Sequence, residues 1–573
     1  LATATAAEGP ADRPQPSPRR DFAGVLTRGA GGRLWAIGTV TLAVLLAVPV
    51  LVILGFLLVP SGATWHHLAS TVLPDYVANS LLLMLGVTLG TLVGGVGTAW
   101  LTSMCRFPGR GFFEWALLLP MAMPAYIIAY TYTGLLDFAG PLQSGLRQLT
   151  GWGYGDYWVP EVRSLPGAAV MLSLVLYPYV YLLTRAAFLG QSICVLDVSR
   201  TLGNGPWRTF LTVALPLARP AIAAGLSLAL METLADYGTV QYFGVQTFTT
   251  GIFRTWYGLG DPAGAAQLAA LLLGFILVLI TLERYSRRHA RYHHTSQRHQ
   301  AIRRYRLGGW RAAAATLFCA LPLLLGFLIP AGQLSVWAVS LADTAYDARF
   351  LELVVNTLGL AGLAALLALL LALLLGYGRR LQPSRPVRFA VRLAGLGYAI
   401  PGTVIAIGVI IPFAWLDNQV DAWMRATFGV STGLLLSGTL VALVFGYLVR
   451  FLAVSLQSVE TGLGKIRPSM DEAARSLGVR PASLLWRVHV PLLRGSLITA
   501  LLLVFVDVMK ELPATLILRP FDFNTLAVRA FELASDERLA DSAPAALTIV
   551  LAGLIPVILL SRSITGSRHV QPA

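Results

Sequence analysis

The sequence predicts an all-α polytopic membrane protein with about twelve transmembrane helices in two homologous six-span halves. Three observations predict it: an apolar, charge-poor composition, long apolar runs at regular spacing, and a long internal repeat. Hydrophobic residues make up 56% of the 573 and charged residues only 12%, with a mean hydropathy of +0.68. Soluble domains carry about a quarter charged residues.

A helical span needs about 20 predominantly apolar residues to cross a hydrocarbon core about 30 Å thick, with every backbone group bonded internally. Runs that meet this lie at 34–60, 78–104, 113–136, 166–189, 217–240 and 263–283, then at 312–341, 354–377, 388–415, 431–455, 492–517 and 543–561. They are continuous, which excludes the alternating pattern of a membrane β-barrel. Cys105, Cys194 and Cys319 have no metal-type or paired spacing.

The repeat is exact in spacing over its central part. Asp197-Val198-Ser199, Gly203 and Pro216 recur as Glu472-Ala473-Ala474, Gly478 and Pro491, each 275 residues later. The same offset pairs Arg219 with Arg494, Glu232 with Asp507, Asp236 with Glu511, Thr250 with Thr525 and Arg254 with Arg529. Upstream, Asn79 with Asn356 and Pro124 with Pro401 are 277 apart. The expected organisation is a disordered cytoplasmic tail (1–33), a first repeat (34–283), a basic cytoplasmic linker (284–311), a second repeat (312–562) and a short tail (563–573). Six spans per half give both halves one membrane orientation, related by an axis along the membrane normal.

Lys and Arg concentrate in the loops that hold both motif copies, which places those loops, and both termini, in the cytoplasm. The net charge of +15 reflects this bias and affinity for anionic lipid, and implies no nucleic acid. The linker from Arg284 to Arg306 holds eight arginines and His289, His293, His294 and His299; it reads as a solvated connector or as a metal- or lipid-gripping segment.

Each motif copy reads as a short helix with its acid at the head, where negative charge favours the helix dipole, a glycine turn out of it, and a proline in the first turn of the next span. The result is a rigid knob between two spans. These residues resemble the "EAA" loop of binding-protein-dependent ABC importer permeases, Glu-Ala-Ala, three residues, Gly, nine residues, Ile-x-Leu-Pro. The second copy matches it more closely than the first. The resemblance implies the type I importer permease fold, with Asp197, Val198, Ser199, Gly203 and Pro216, and Glu472, Ala473, Ala474, Gly478 and Pro491, forming loops that couple to two ATP-binding cassette subunits. ATP and magnesium would then sit on those partners, with no cofactor on this chain. Over its fused length the chain also resembles ferric-iron permeases, through Asp236-Tyr237-Gly238-Thr239 and Lys510-Glu511-Leu512-Pro513. Thiamine and phosphonate permeases share much of that pattern.

Glu232 and Asp236 lie four apart on one helical face, as do Asp507 and Glu511, roughly 24 to 30 Å along their spans from the prolines. Charges within a membrane usually face a pathway or a partner. Two readings stand: a cation-attracting gate suited to a hard ion, or ion pairing with Lys510, Arg254 or Arg529. The loop with Trp152, Tyr154, Tyr157 and Trp158 is a docking surface for an extracytoplasmic binding protein or an interfacial aromatic belt. Gly462-Leu463-Gly464-Lys465 lacks the spacing of a phosphate-cradling loop, so no ATPase site is expected on this chain. The rival class is an ion-gradient-driven transporter with the four acids as relays.

Overall fold

A computed structural model describes residues 30–59, 63–153, 156–191, 193–288 and 304–566. Most of the expected N-terminal tail, the four linker histidines, Tyr154 and the last residues lie outside these. The principal helices of the first half are α1 (Ala30–Gly55), α2 (Leu73–Met104), α3 (Arg110–Ala116), α4 (Ala125–Leu136), α5 (Leu165–Gly190), α6 (Ile193–Thr201), α7 (Leu215–Ala235), α8 (Gly238–Tyr242), α9 (Phe248–Phe253) and α10 (Pro262–Arg288). Those of the second are α11 (Trp310–Leu323), α12 (Ile329–Ser340), α13 (Ala348–Leu381), α14 (Arg385–Ala394), α15 (Gly402–Phe428), α16 (Leu440–Lys465), α17 (Pro468–Ser476), α18 (Arg494–Met509), α19 (Pro513–Leu518), α20 (Leu526–Ser535) and α21 (Leu539–Gly566).

Ten helices are long and apolar enough to cross a membrane, and twelve spans result if two sharply bent pairs each count as one. One bend, 91°, follows Ala122 and the other, 81°, precedes Arg494. At the first, Met123 is extended and Pro124 starts the next helix, a position where its missing N–H is harmless. Proline also explains a feature shared by the two motif regions. Phe210–Ala214 and Leu485–His489 each form a turn of π-helix just before Pro216 and Pro491. A proline ring inside a continuous helix clashes with the carbonyl one turn earlier, and a wider turn relieves the clash.

Two expected spans end early. The runs 217–240 and 492–517 read as continuous, yet α7 stops at Ala235 and α18 at Met509. The chain then re-enters as short helices, α8 and α9 in one half and α19 and α20 in the other. The repeat register also shifts there. Thr247 caps α9 and Thr525 caps α20, so the structural partners are 278 apart and Thr250 with Thr525, like Arg254 with Arg529, are not equivalent.

The apolar cores do not follow the two halves of the sequence. α1 packs chiefly on α13, α14 and α15 of the second half, while α12 packs on α21 and on α4 of the first. One core joins α2, α4 and α5 to α11, α12 and α21; the other joins α13, α15, α16 and α18 to α1 and α10. First and last spans are therefore exchanged between the halves. A two-residue parallel pairing, β1 (Cys105–Arg106) with β2 (Tyr305–Arg306), ties the start of the second half to the first.

Candidate functional site: two knobs and a central acid cavity

The knobs α6 and α17 end alike. Gly203 and Gly478 take left-handed φ angles of 78° and 72°, and the following N–H groups, of Asn204 and Val479, bond back to the carbonyls of Ser199 and Ala474. This is the closing pattern that orphan helix carbonyls favour, and a side chain at the glycine strains it. Nothing lies near a Cβ added at either glycine, so the constraint is the backbone angle and not crowding. The acids are not at the helix heads as expected. The helices start earlier, at Ile193 and Pro468, which leaves Asp197 and Glu472 in mid-helix.

The knobs present apolar side chains to solvent: Val198, Leu202 and Trp207 in one, Leu477, Val479 and Trp486 in the other, with Leu202 75% and Leu477 81% exposed. Glu472, Ala473 and Gly478 are exposed beside them. Each knob is anchored from behind. Ser199, buried, bonds Thr209 and Asn204. In the second, Asp471 receives Arg380 Nε at 2.7 Å and lies 2.8 Å from His489 Nε2, and Tyr377 packs edge-on against His489 while its hydroxyl donates to the Pro481 carbonyl. Asp471, Arg380 and His489 escaped the sequence reading because their register lies one residue off the motif or on a distant helix.

Beside the second knob a vestibule of about 1600 Å³ runs from Arg467 and Met470 inward to Asp507 and Lys510. Beyond it a cavity of about 110 Å³ is lined by Glu232, Asp236, Asp507 and Glu511 together with Lys510, Arg450 and Tyr126. All four predicted pathway acids thus meet in one place. Tyr237, which also lines the cavity, stacks on Phe253 at 3.7 Å and lies close to Phe531. The vestibule and the cavity meet at Asp507 and Lys510, which line both.

The helix breaks put the acids there. Asp236 ends α7 and its carboxylate accepts from the N–H groups of Thr239 and Val240 and from the Thr239 hydroxyl, which starts α8. Glu511 does the same for α19 through Ala514 N–H at 2.9 Å. A carboxylate at a helix start satisfies donors that have no intrahelical acceptor. Glu511 also lies 3.3 Å from Arg450 Nη1, and Asp507 2.9 Å from Lys510 Nζ. Glu232 makes no hydrogen bond or ion pair among the described residues. Of the partners expected for these acids, Lys510 is confirmed. Arg529 instead lies near Glu532, and Arg254 interacts with Tyr76. Arg450 was not foreseen, because its equivalent in the first half is Val175 and nothing in the repeat marks it. Gly402 leaves room for the pair: a methyl group there would collide with both Arg450 and Glu511. No three His, Cys, Asp or Glu side chains are close enough to hold a metal ion among the described residues.

On the far side Arg163 of the first half forms a two-pronged ion pair with Glu537 of the second, at 2.9 and 2.8 Å, and its guanidinium also stacks on Tyr242. Glu537 is the one non-glycine residue with positive φ among the described residues, at 60°. Trp152 stacks on Tyr157 nearby and Trp158 is exposed.

A family described as the inner membrane component of binding-protein-dependent transport systems matches residues 86–292, the stretch that holds the first knob and the first pair of acids. The Fe(3+)-transport system permease protein FbpB 2 of Haemophilus influenzae is 27% identical over 494 residues, covering 85% of this chain and 90% of that protein. This chain is a permease whose residues 86–292 match that family, and over most of its length it is similar to ferric transport permeases. The ferric transport system permease protein FbpB of Actinobacillus pleuropneumoniae is 25% identical over 77% of the permease and 64% of its own length. The molybdenum transport system permease protein ModB of Escherichia coli K12 aligns at 26% identity over only 38% of the permease but 97% of its own length. That shorter relative corresponds to a single half. The permease is therefore a multi-pass membrane protein with a fused, duplicated architecture, and its family match falls on the half whose motif departs further from the consensus.

Proposed function

We propose that the permease carries ferric iron from an extracytoplasmic binding protein to the cytoplasm by alternating access, driven by two ATP-binding cassette subunits that seat α6 and α17. The knob side is then cytoplasmic, along with both termini, and the Arg163–Glu537 side receives the binding protein. ATP and magnesium belong to the partner subunits and the chain has no ATPase site of its own. Paired exposed apolar knobs, anchored rigidly from behind, are what a force-transmitting contact requires.

The observation that carries the substrate reading is the acid cavity. Four carboxylates against Lys510 and Arg450 leave a net negative lining, which opposes an oxyanion or phosphonate and favours a cation. At about 110 Å³ it is well below the roughly 300–1,000 Å³ of pockets for organic ligands, which argues against thiamine. Carboxylate and phenol oxygens suit a hard ion. Reconstitution in proteoliposomes with the ATPase subunits and a ferric-loaded binding protein tests it: iron uptake is expected only with ATP, and replacing all four acids by their amides is expected to abolish it. Uptake that persists with an inactivated ATPase, or iron uptake indifferent to the four replacements, overturns the reading.

A further inference from the structure

Lys510 has no counterpart in the first half. It caps the C-terminus of α18, a position that favours a cation, but the residue 275 positions earlier is Ala235, which ends α7 without one. The side chain lines both the vestibule and the acid cavity, as does Asp507, to which it is joined at 2.9 Å. The pair is thus the boundary between the two spaces. Beyond it Glu232 has no ion-pair partner among the described residues, whereas Asp236 and Glu511 are held by helix starts and by Arg450. The Tyr126 hydroxyl, on a residue only 5% exposed, faces the same cavity without a hydrogen-bond partner. A buried polar group left unpaired costs stability, so the cavity is lined by oxygens that a cation would satisfy.

Resting on the reading of the cargo as a cation, we propose that Lys510 is a tethered counter-cation: its ammonium occupies the cargo's place on Asp507 and closes the knob side of the cavity until an arriving ion displaces it. A flexible four-carbon stem ending in a compact charge suits this exchange. In the resting state the ammonium neutralises Asp507, so the acids do not draw ions from the vestibule. An ion entering from the other side with more charge than the ammonium wins the carboxylates, and Lys510 swings toward the vestibule. Once the ion has left, the lysine returns and opposes backflow. No bond is made or broken in this cycle; one ion pair is exchanged for another.

The test uses the full chain with its ATPase subunits in nanodiscs, without nucleotide, titrated with Tb³⁺ as a hard trivalent probe whose emission is sensitised by nearby tyrosines such as Tyr126. Lys510→Met is expected to bind Tb³⁺ about tenfold or more tighter than the unaltered protein, given several kcal/mol between adjacent unit charges at intermediate dielectric. Lys510→Arg, which keeps the charge, is expected to bind as the unaltered protein does, and Lys510→Met combined with Glu232→Gln is expected to lose the gain. Proteoliposomes with Lys510→Met are expected to leak ferric ion without ATP. Unchanged Tb³⁺ affinity in a Lys510→Met protein that elutes and melts like the parent overturns the proposal while leaving the substrate reading intact. Failure of the unaltered transporter to import iron, with the Tb³⁺ differences present, overturns the iron assignment alone.

Discussion

Arg450 and Glu511 illustrate how much can rest on one pair inside a membrane protein. Both are buried, and breaking a buried pair by removing one member costs about 3–5 kcal/mol because the other charge is stranded. Arg450→Leu is expected to lower the unfolding temperature sharply in detergent, and adding Glu511→Gln to recover most of the loss; two independent, additive deficits would contradict the pairing. Arg163 and Glu537 form the exposed counterpart, worth no more than about 1 kcal/mol after solvent screening. The guanidinium of Arg163, by hydrogen bond and charge, holds the Glu537 carboxyl below its ordinary range. A depressed acid stabilises the fold above its unfolded value, about 4.3, and loses that contribution as pH falls through the folded one. Melting curves of Glu537→Gln should therefore show a small deficit at neutral pH that closes once acid has protonated the folded carboxyl; a deficit that widens in acid would contradict this. The four acids were legible at this scale through their four-residue spacing. Arg450 was not, since a lone arginine in an apolar run carries no sign of what it will face.

At the scale of the element, the knob is a helix whose exit angle is set by one glycine. Placing a β-branched residue in the left-handed region costs about 1–2 kcal/mol, and the helix responds by unwinding its last turn. Gly478→Val is thus expected to reduce binding-protein-stimulated ATP hydrolysis several-fold while leaving the membrane spans folded, measured as stimulated rate against the unstimulated rate in the same vesicles. Equal loss of both would point to general misfolding. Gly203→Val tests the other knob. The glycines and prolines were readable because turn chemistry is local: the residue that permits the angle must stand where the angle occurs. The helix starts were not: Asp197 and Glu472 lie in mid-helix, and the groups that anchor the knobs through Ser199 and Asp471, namely Thr209, Arg380 and His489, come from outside those helices. The early ends of α7 and α18 have the same origin. Apolar character continues past Ala235 and Met509, and only the capping carboxylates and Pro513 mark the break.

For the whole molecule the exchange of first and last spans has the widest consequence. Because α1 packs on the second half, and α11, α12 and α21 join the core of α2, α4 and α5, neither half can complete its core alone. Expressing residues 1–288 and 304–573 as separate chains is expected to give two protease-sensitive fragments, and co-expression to restore a resistant, assembled pair. A first fragment that resists protease by itself would contradict the interlock.

Residue order alone determined the membrane class, the duplicated halves, the glycine and proline positions of the knobs, and the four acids that share a cavity. Each of these follows from hydrophobic run length or from backbone and side-chain preferences that act over a few residues. Only the tertiary structure decided which half each end span completes, that Arg450 joins Lys510 against the acids, and that a vestibule runs from the second knob to Asp507 and Lys510. Those outcomes depend on packing between segments far apart in the chain, where many apolar surfaces are interchangeable and no local pattern names the partner.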